Sequence, residues 1–216
     1  KGAKKPFSQL RSVLLPFQRI QVTLGRAPAD SEMREVDTLR AAEWIGGLAM
    51  LTGAALFSGF YLNELLMKLL ARHDPHPLLF DAYAATIASL GSAPEAEAQA
   101  ALRAFELVLL KEIGLLPDLG TETASQRAVR PEARFRLLAD AGVVETLDDG
   151  DASTSGATLL ALRDALAAGD LRALQAAARG ALTELRPLLR AQLHYHLGSS
   201  QLRTRQVMID AQSLGL

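Results

Sequence analysis

The sequence predicts an α+β protein: a small β unit followed by a mostly α-helical domain. Short β-type runs at residues 17–24 and 35–39 flank the turn-rich Gly25-Arg26-Ala27-Pro28. Beyond Trp44 the apolar residues recur at helical spacing. With 216 residues, 49% of them hydrophobic and 22% charged, the chain can bury the core of one or two domains. The expected division is 1–44 for the β unit and 45–216 for the helical domain, the latter with an irregular insert at about 117–156.

Taken in order, the interval 44–63 carries no charged residue and is tested first as a membrane span, which needs about 20 apolar residues. Gly46, Gly47, Gly53 and Gly59 interrupt it, and Thr52 and Ser58 add polarity. Two buried helices joined near Thr52-Gly53 are expected instead. Leu56, Phe60, Leu62, Leu65, Leu66, Leu69 and Leu70 cover most of a helix circumference, the pattern of a central bundle helix. The next helix is bracketed by Pro77 and Gly91. A third opens on Ser92-Ala93-Pro94-Glu95, read as a capping box, and stops near Gly114. The insert suggests a strand pair at 135–138 and 142–145 before the acidic loop Asp148-Asp149-Gly150-Asp151, which lacks the spacing and closing Glu of a calcium loop and reads as a solvated turn. Three helices follow, at about 159–168, 171–180 and 181–197, with Asp170 as a cap between the first two.

Without Cys the chain has no disulfide and no Cys-based zinc site, which fits a reducing compartment. No signal-peptide pattern is read at its start. The net charge of −1 conceals a segregation. Residues 1–26 and 185–209 carry bases and no acids, whereas 27–184 hold 13 basic and 23 acidic residues. Basic ends of this kind attract polyanions; ordinary solvated faces are the competing reading, and composition leaves both open.

Motifs for catalysis are missing: there is no phosphate loop, nucleophile elbow or zinc-hydrolase helix. His73 and His76 flank a turn, and His194 and His196 stand two apart on a helix, where they point to different sides and do not chelate one ion. Glu64 and Glu106 are isolated acids on apolar helices, read as paired structural groups rather than general bases. No enzymatic activity, cofactor or metal is expected. Binding remains.

Four sets of residues carry a family resemblance. They are Ser58-Gly59-Phe60-Tyr61-Leu62-Asn63-Glu64-Leu65-Leu66 with His73-Asp74-Pro75-His76-Pro77 and Leu79-Phe80-Asp81-Ala82-Tyr83, then Leu15-Pro16-Phe17, then Leu102-Arg103-Ala104-Phe105-Glu106-Leu107, and finally His196-Leu197-Gly198 with Leu202-Arg203-Thr204-Arg205. Taken along the chain they resemble the RecO family of bacterial recombination mediators, which load recombinase onto single-stranded DNA and anneal complementary strands. The resemblance implies that the β unit is the second part of an OB-fold, a barrel that binds single strands through a charged groove. Family members usually begin with a few dozen residues of strand pattern before the segment that here reads Lys1-Gly2-Ala3-Lys4-Lys5, so the chain is expected to be a fragment without its first strands. In some RecO-like proteins the insert carries four zinc-binding cysteines, which this chain lacks.

The function expected is that of a non-catalytic DNA-binding recombination mediator in DNA repair, cytoplasmic and nucleoid-associated. Its partners would be single- and double-stranded DNA, the single-stranded-DNA-binding protein and a RecR-like protein. DNA contacts are expected from Lys1, Lys4, Lys5, Arg11, Arg203 and Arg205, in the two acid-free ends. The resemblance also implies a pocket for the acidic, carboxyl-terminal tail of the single-stranded-DNA-binding protein, with Arg103, Phe105, Leu109, Tyr61 and Leu65 forming or bordering it and Arg103 gripping the terminal carboxylate. Charge reversal at Arg103 should then weaken tail binding by about thirtyfold or more and leave the fold and the DNA affinity of the basic ends nearly intact. The alternatives are the ligand-binding and dimerisation domain of a transcription regulator and a metal-dependent hydrolase built on the four histidines.

Overall fold

The structure, a computed structural model, describes residues 5, 8–25, 37–47, 50–148, 150, 153–198, 202–204, 206, 207 and 210. It divides into two compact units, Lys1–Leu51 and Thr52–Leu216. The boundary expected after Trp44 falls inside a strand.

In the first unit a short helix α1 (Gln9–Val13) precedes an antiparallel ribbon of β1 (Gln18–Leu24) and β2 (Leu39–Gly47). Ile20 pairs with Trp44, and the Trp44 indole Nε1 donates to Gln18 Oε1 at 3.1 Å. β1 agrees with the run read at 17–24, but the second run was misplaced: Asp37 and Thr38 precede the strand, which continues through Trp44 to Gly47. The charge-free interval from Trp44 is therefore not two helices. Its aromatic and β-branched opening, Trp44-Ile45, suits a pleated strand better than a helix, and Gly46 takes a φ of 122° at the register shift between the Ile20–Trp44 and Gln18–Gly47 pairs.

The second unit is helical around an inserted ribbon. Its elements are α2 (Gly53–Leu69), α3 (Pro77–Ser92), α4 (Glu95–Glu112), β3 (Arg134–Leu138), β4 (Gly142–Thr146), β5 (Thr154–Ser155), α5 (Gly156–Ala168), α6 (Leu171–Gly180) and α7 (Leu182–Leu197). The central helix is α4. It buries Leu102, Phe105, Leu107, Leu109 and Leu110 and packs against α3, α6 and α7. The sequence pointed to α2 instead, yet α2 buries only Gly59, Leu62 and Leu65 and leaves Phe60 and Met67 exposed. Leucine density marks a potential for burial, not which helix the others surround.

Helix ends follow local chemistry in part. Asp170 Oδ1 accepts from the backbone N–H of Arg172 and Ala173, as the cap reading requires. The capping box at Ser92 does not form: the Ser92 hydroxyl turns back to the Ala88 carbonyl and Pro94 occupies the N-cap of α4. α3 runs through Gly91 to Ser92. No helix among the described residues is long and apolar enough to cross a membrane.

The insert forms the expected strand pair, to which the short β5 adds a third member in the order β4-β3-β5. Backbone and side-chain hydrogen bonds fasten it: Thr123 N–H donates to the Val143 carbonyl and Val143 N–H to Thr123 Oγ1, both at 2.9 Å. In the loop that follows, Asp148 accepts from Gly150 N–H, an ordinary turn bond; Asp149 and Asp151 lie outside the described residues.

Candidate functional site

The polar residues of α2 act as ties. Tyr61, Asn63 and Glu64 stand within one turn of a mostly apolar helix, and each reaches a different segment of the second unit. The Tyr61 hydroxyl donates to Glu106 Oε1 on α4 at 2.7 Å, and the Tyr83 hydroxyl on α3 donates to Asn63 Oδ1 at 2.7 Å. Burial pushes the Tyr83 phenol up to about 12, so it remains a donor throughout the physiological range. Its ring meets Phe105 edge-on at 6.2 Å.

Glu106 is the most deeply placed acid of this group, with a side chain 0% exposed. Arg103, one turn earlier on α4, brings Nη1 to 2.7 Å from Glu106 Oε2. Oε2 thus has an ionic neighbour but no hydrogen-bond partner. Burial raises the Glu106 carboxyl above its ordinary value against the pull of Arg103 and Tyr61. Burial, and then the carboxylate charge, raise the Tyr61 phenol above its own. The cluster is a desolvated ion pair with a hydroxyl clamp, built to hold α2 on α4.

Glu64 ties α2 to the last part of the unit. Its Oε1 accepts from Arg203 N–H, and Oε2 from Thr204 N–H and Thr204 Oγ1, at 2.7 to 2.9 Å. Lys68, four residues on, lies 3.2 Å away. A carboxylate from another helix thus caps the helical turn that begins at Arg203, while Leu202 is buried beside it. Burial raises this carboxyl, but the bonds from Thr204, Arg203 and Lys68 outweigh it and hold it at about 2, against an ordinary 4.5. A depressed folded value stabilises above pH 4.5, and that contribution fades as pH falls toward 2. Glu64→Gln should cost about 2 kcal/mol at pH 7 and far less near pH 2. Urea unfolding of both proteins at several pH values checks this; parallel acid profiles would show that Glu64 carries no such linkage.

The basic residues expected to meet DNA are only partly visible. Lys5 and Arg11 are exposed in the first unit and Arg203 is exposed in the second, where its backbone N–H is held by Glu64. Lys1, Lys4 and Arg205 lie outside the described residues. The histidines separate as their spacing predicts: His194 lines a surface groove, whereas Nε2 of His196 is buried. His76 sits at the N-cap of α3, 3.3 Å from Asp74 and 3.9 Å from Glu112. No group of three metal-ligating side chains occurs among the described residues.

Residues 50–206 match the model of a family described as "Recombination protein O C terminal". The chain belongs to the RecO family. "DNA repair protein RecO" of Polaromonas sp. strain JS666 is 50% identical over 217 residues, covering 99% of this chain and 84% of the relative. The proteins of the same name from Polaromonas naphthalenivorans and Delftia acidovorans are 52% and 42% identical, again over 99% of this chain and 84% of each relative. Membership displaces the reading as a transcription-regulator domain.

Set against the tail site that RecO resemblance implies, the five residues named for it fall into two groups. Leu65, Phe105 and Leu109 are 0% exposed and belong to the core, so none of them offers surface to a peptide. Tyr61 is half-buried with its hydroxyl committed to Glu106, and Arg103, 12% exposed, has its guanidinium committed to the same acid. This pairing argues against the expectation that charge reversal at Arg103 spares the fold, since it would place a second acid beside a buried one. The i, i+3 spacing of Arg103 and Glu106 was the available signal.

Proposed function

We propose that this RecO-family chain acts in DNA repair as a recombination mediator with no catalysis of its own, helping to load recombinase onto single strands coated with single-stranded-DNA-binding protein and annealing complementary strands. Membership of the family across nearly the whole helical unit carries the reading, and the relatives' common name, DNA repair protein RecO, supports it. The buried or partly buried carboxylates support the absence of catalysis. Glu64, Glu106 and Glu184 are all engaged by structural partners, Glu184 by Arg134, Thr154 and the Ser155 N–H. The ribbon β1-β2 is taken as part of an OB-fold, and the proposed partners are DNA, the tail of the single-stranded-DNA-binding protein and a RecR-like protein, in the cytoplasm. Of the tail-site residues, the outer edge of Arg103 remains the candidate contact.

The test is fluorescence anisotropy with oligonucleotides of unrelated sequence at graded salt. Affinity should be indifferent to sequence and fall steeply with salt, since phosphate neutralisation releases counterions. Converting Lys4, Lys5 and Arg11 together to Glu should weaken it at least tenfold. A flat salt response, or an unaffected triple variant, refutes the assignment to these residues.

A further inference from the structure

One face of α7 carries cations that the fold leaves unused. Thr183, Arg186, Pro187, Arg190, Ala191 and His194 line a shallow groove along the helix. Arg186, Arg190 and His194 succeed one another at four-residue steps, about 6 Å apart along the axis at the helical rise, a spacing of the same order as that between successive phosphates. Arg186 and Arg190 are exposed, and among the described residues neither has an ionic partner. The one acid of the helix, Glu184, is turned away to Arg134 and Thr154. A row of guanidiniums with no structural task differs from Arg103, Arg130 and Arg134, each of which faces an acid.

Beside this row stands an aromatic ring. Tyr195 is 60% exposed and lies one turn from Ala191, which lines the edge of the groove. The ring of His196, half-buried, meets it edge-on at 5.3 Å, at 86°, so the Tyr195 ring is braced from one side while most of it stays exposed. An exposed, braced aromatic next to a cation row is the arrangement that holds an unpaired base while its phosphates run along the charges. Duplex DNA offers the phosphates but keeps its bases stacked inside.

We infer that the α7 face formed by Arg186, Arg190, His194 and Tyr195 is a single-strand binding track, with the arginines on successive phosphates and Tyr195 stacked on a base. It rests on the DNA binding proposed above and adds a location in the helical unit and a preference for unpaired strands. The residues lie on the surface of a helix whose buried side is Leu185, Leu188, Leu189 and Leu193, so changing them leaves the packing alone.

The experiment uses the whole chain, a labelled thymidine oligonucleotide and a labelled hairpin duplex, titrated at graded salt, with circular dichroism to confirm folding. Arg186→Gln with Arg190→Gln should lower single-strand affinity at least tenfold and reduce the slope of log affinity against log salt by about 1.4, two phosphate contacts at about 0.7 each. Tyr195→Ala should weaken single-strand binding about tenfold with little effect on duplex, and Tyr195→Phe should restore it. A wild type that binds no DNA at any salt overturns the DNA-binding reading and this inference with it. A wild type that binds, alongside a double variant of unchanged affinity and slope, overturns this inference alone. An acidic peptide that binds wild type and loses the double variant, with DNA binding untouched, would assign the row to a protein partner and equally refute the track.

Discussion

Arg103→Glu should lower the stability of the folded chain by about 4 kcal/mol, because removing one member of a buried ion pair leaves the other charge uncompensated. The Glu106 side chain is 0% exposed, and its Oε2 has Arg103 as its ionic neighbour and no hydrogen bond. A new carboxylate one turn away adds repulsion at a desolvated side chain. Against a total of roughly 5–15 kcal/mol for a protein of this kind, the loss is large. Glu106→Gln keeps an acceptor for the Tyr61 hydroxyl and removes the charge, so on its own it should be milder, and combined with Arg103→Met it should recover most of the stability lost in the charge reversal. Urea denaturation of the four proteins decides the matter; an Arg103→Glu variant within 1 kcal/mol of wild type would show that the pair is not a structural tie. The result also governs how binding data are read, since tail-peptide affinity in Arg103→Glu has meaning only under conditions where that variant is folded. Arg103→Lys keeps the charge while losing the planar fork, and separates the two roles.

Gly156→Ala should be comparably damaging, for a steric reason. Gly156 is buried at the first position of α5, and its N–H donates to the Ala133 carbonyl while the next N–H donates to Pro131. A methyl group there would fall inside the contact radius of the Arg130 carbonyl oxygen, with the Phe135 ring 3.0 Å away. Backbone on one side and a core aromatic on the other leave nothing that can yield cheaply. Overpacking of this kind costs about 3 kcal/mol, equivalent to a fall in melting temperature of about 10 °C for a chain of this size. Gly180→Ala, at the end of α6 with open space around it, should be neutral or slightly stabilising and serves as the control. Similar melting temperatures for the two variants would mean that the loop 130–133 moves freely away from α5.

What could be read in advance depended on how far apart the interacting residues lie. Asp170, which caps a helix within three residues, and the β3-β4 pair, joined by a short turn, were both legible because local chemistry decides them. The paired nature of Glu106 was legible too, although its partner at i−3 was assigned to a ligand instead. Trp44-Ile45 was misjudged because lack of charge says that a segment is apolar without saying whether it pleats or coils. The Tyr61–Glu106 contact spans 45 residues, and no pattern along the chain announces it. Nor does periodicity say which apolar helix is surrounded: α2 and α4 both carry it, and only the assembled unit puts Leu65, Phe105 and Leu109 beyond the reach of a partner.

The carboxylate of Glu64 joins residues 139 and 140 positions apart in the chain. Loop-closure entropy grows only with the logarithm of length, so this long circuit is little more demanding to close than one of a few dozen residues. Its effect is on cooperativity. Because the turn at Arg203 is fastened to the first helix of the unit as well as by its own Gln206 N–H to Leu202 carbonyl bond, its opening is coupled to α2 and exposes a charged group there. Everything between the two ends is enclosed in one cycle. Damage at either end is thereby transmitted to the other through one carboxylate.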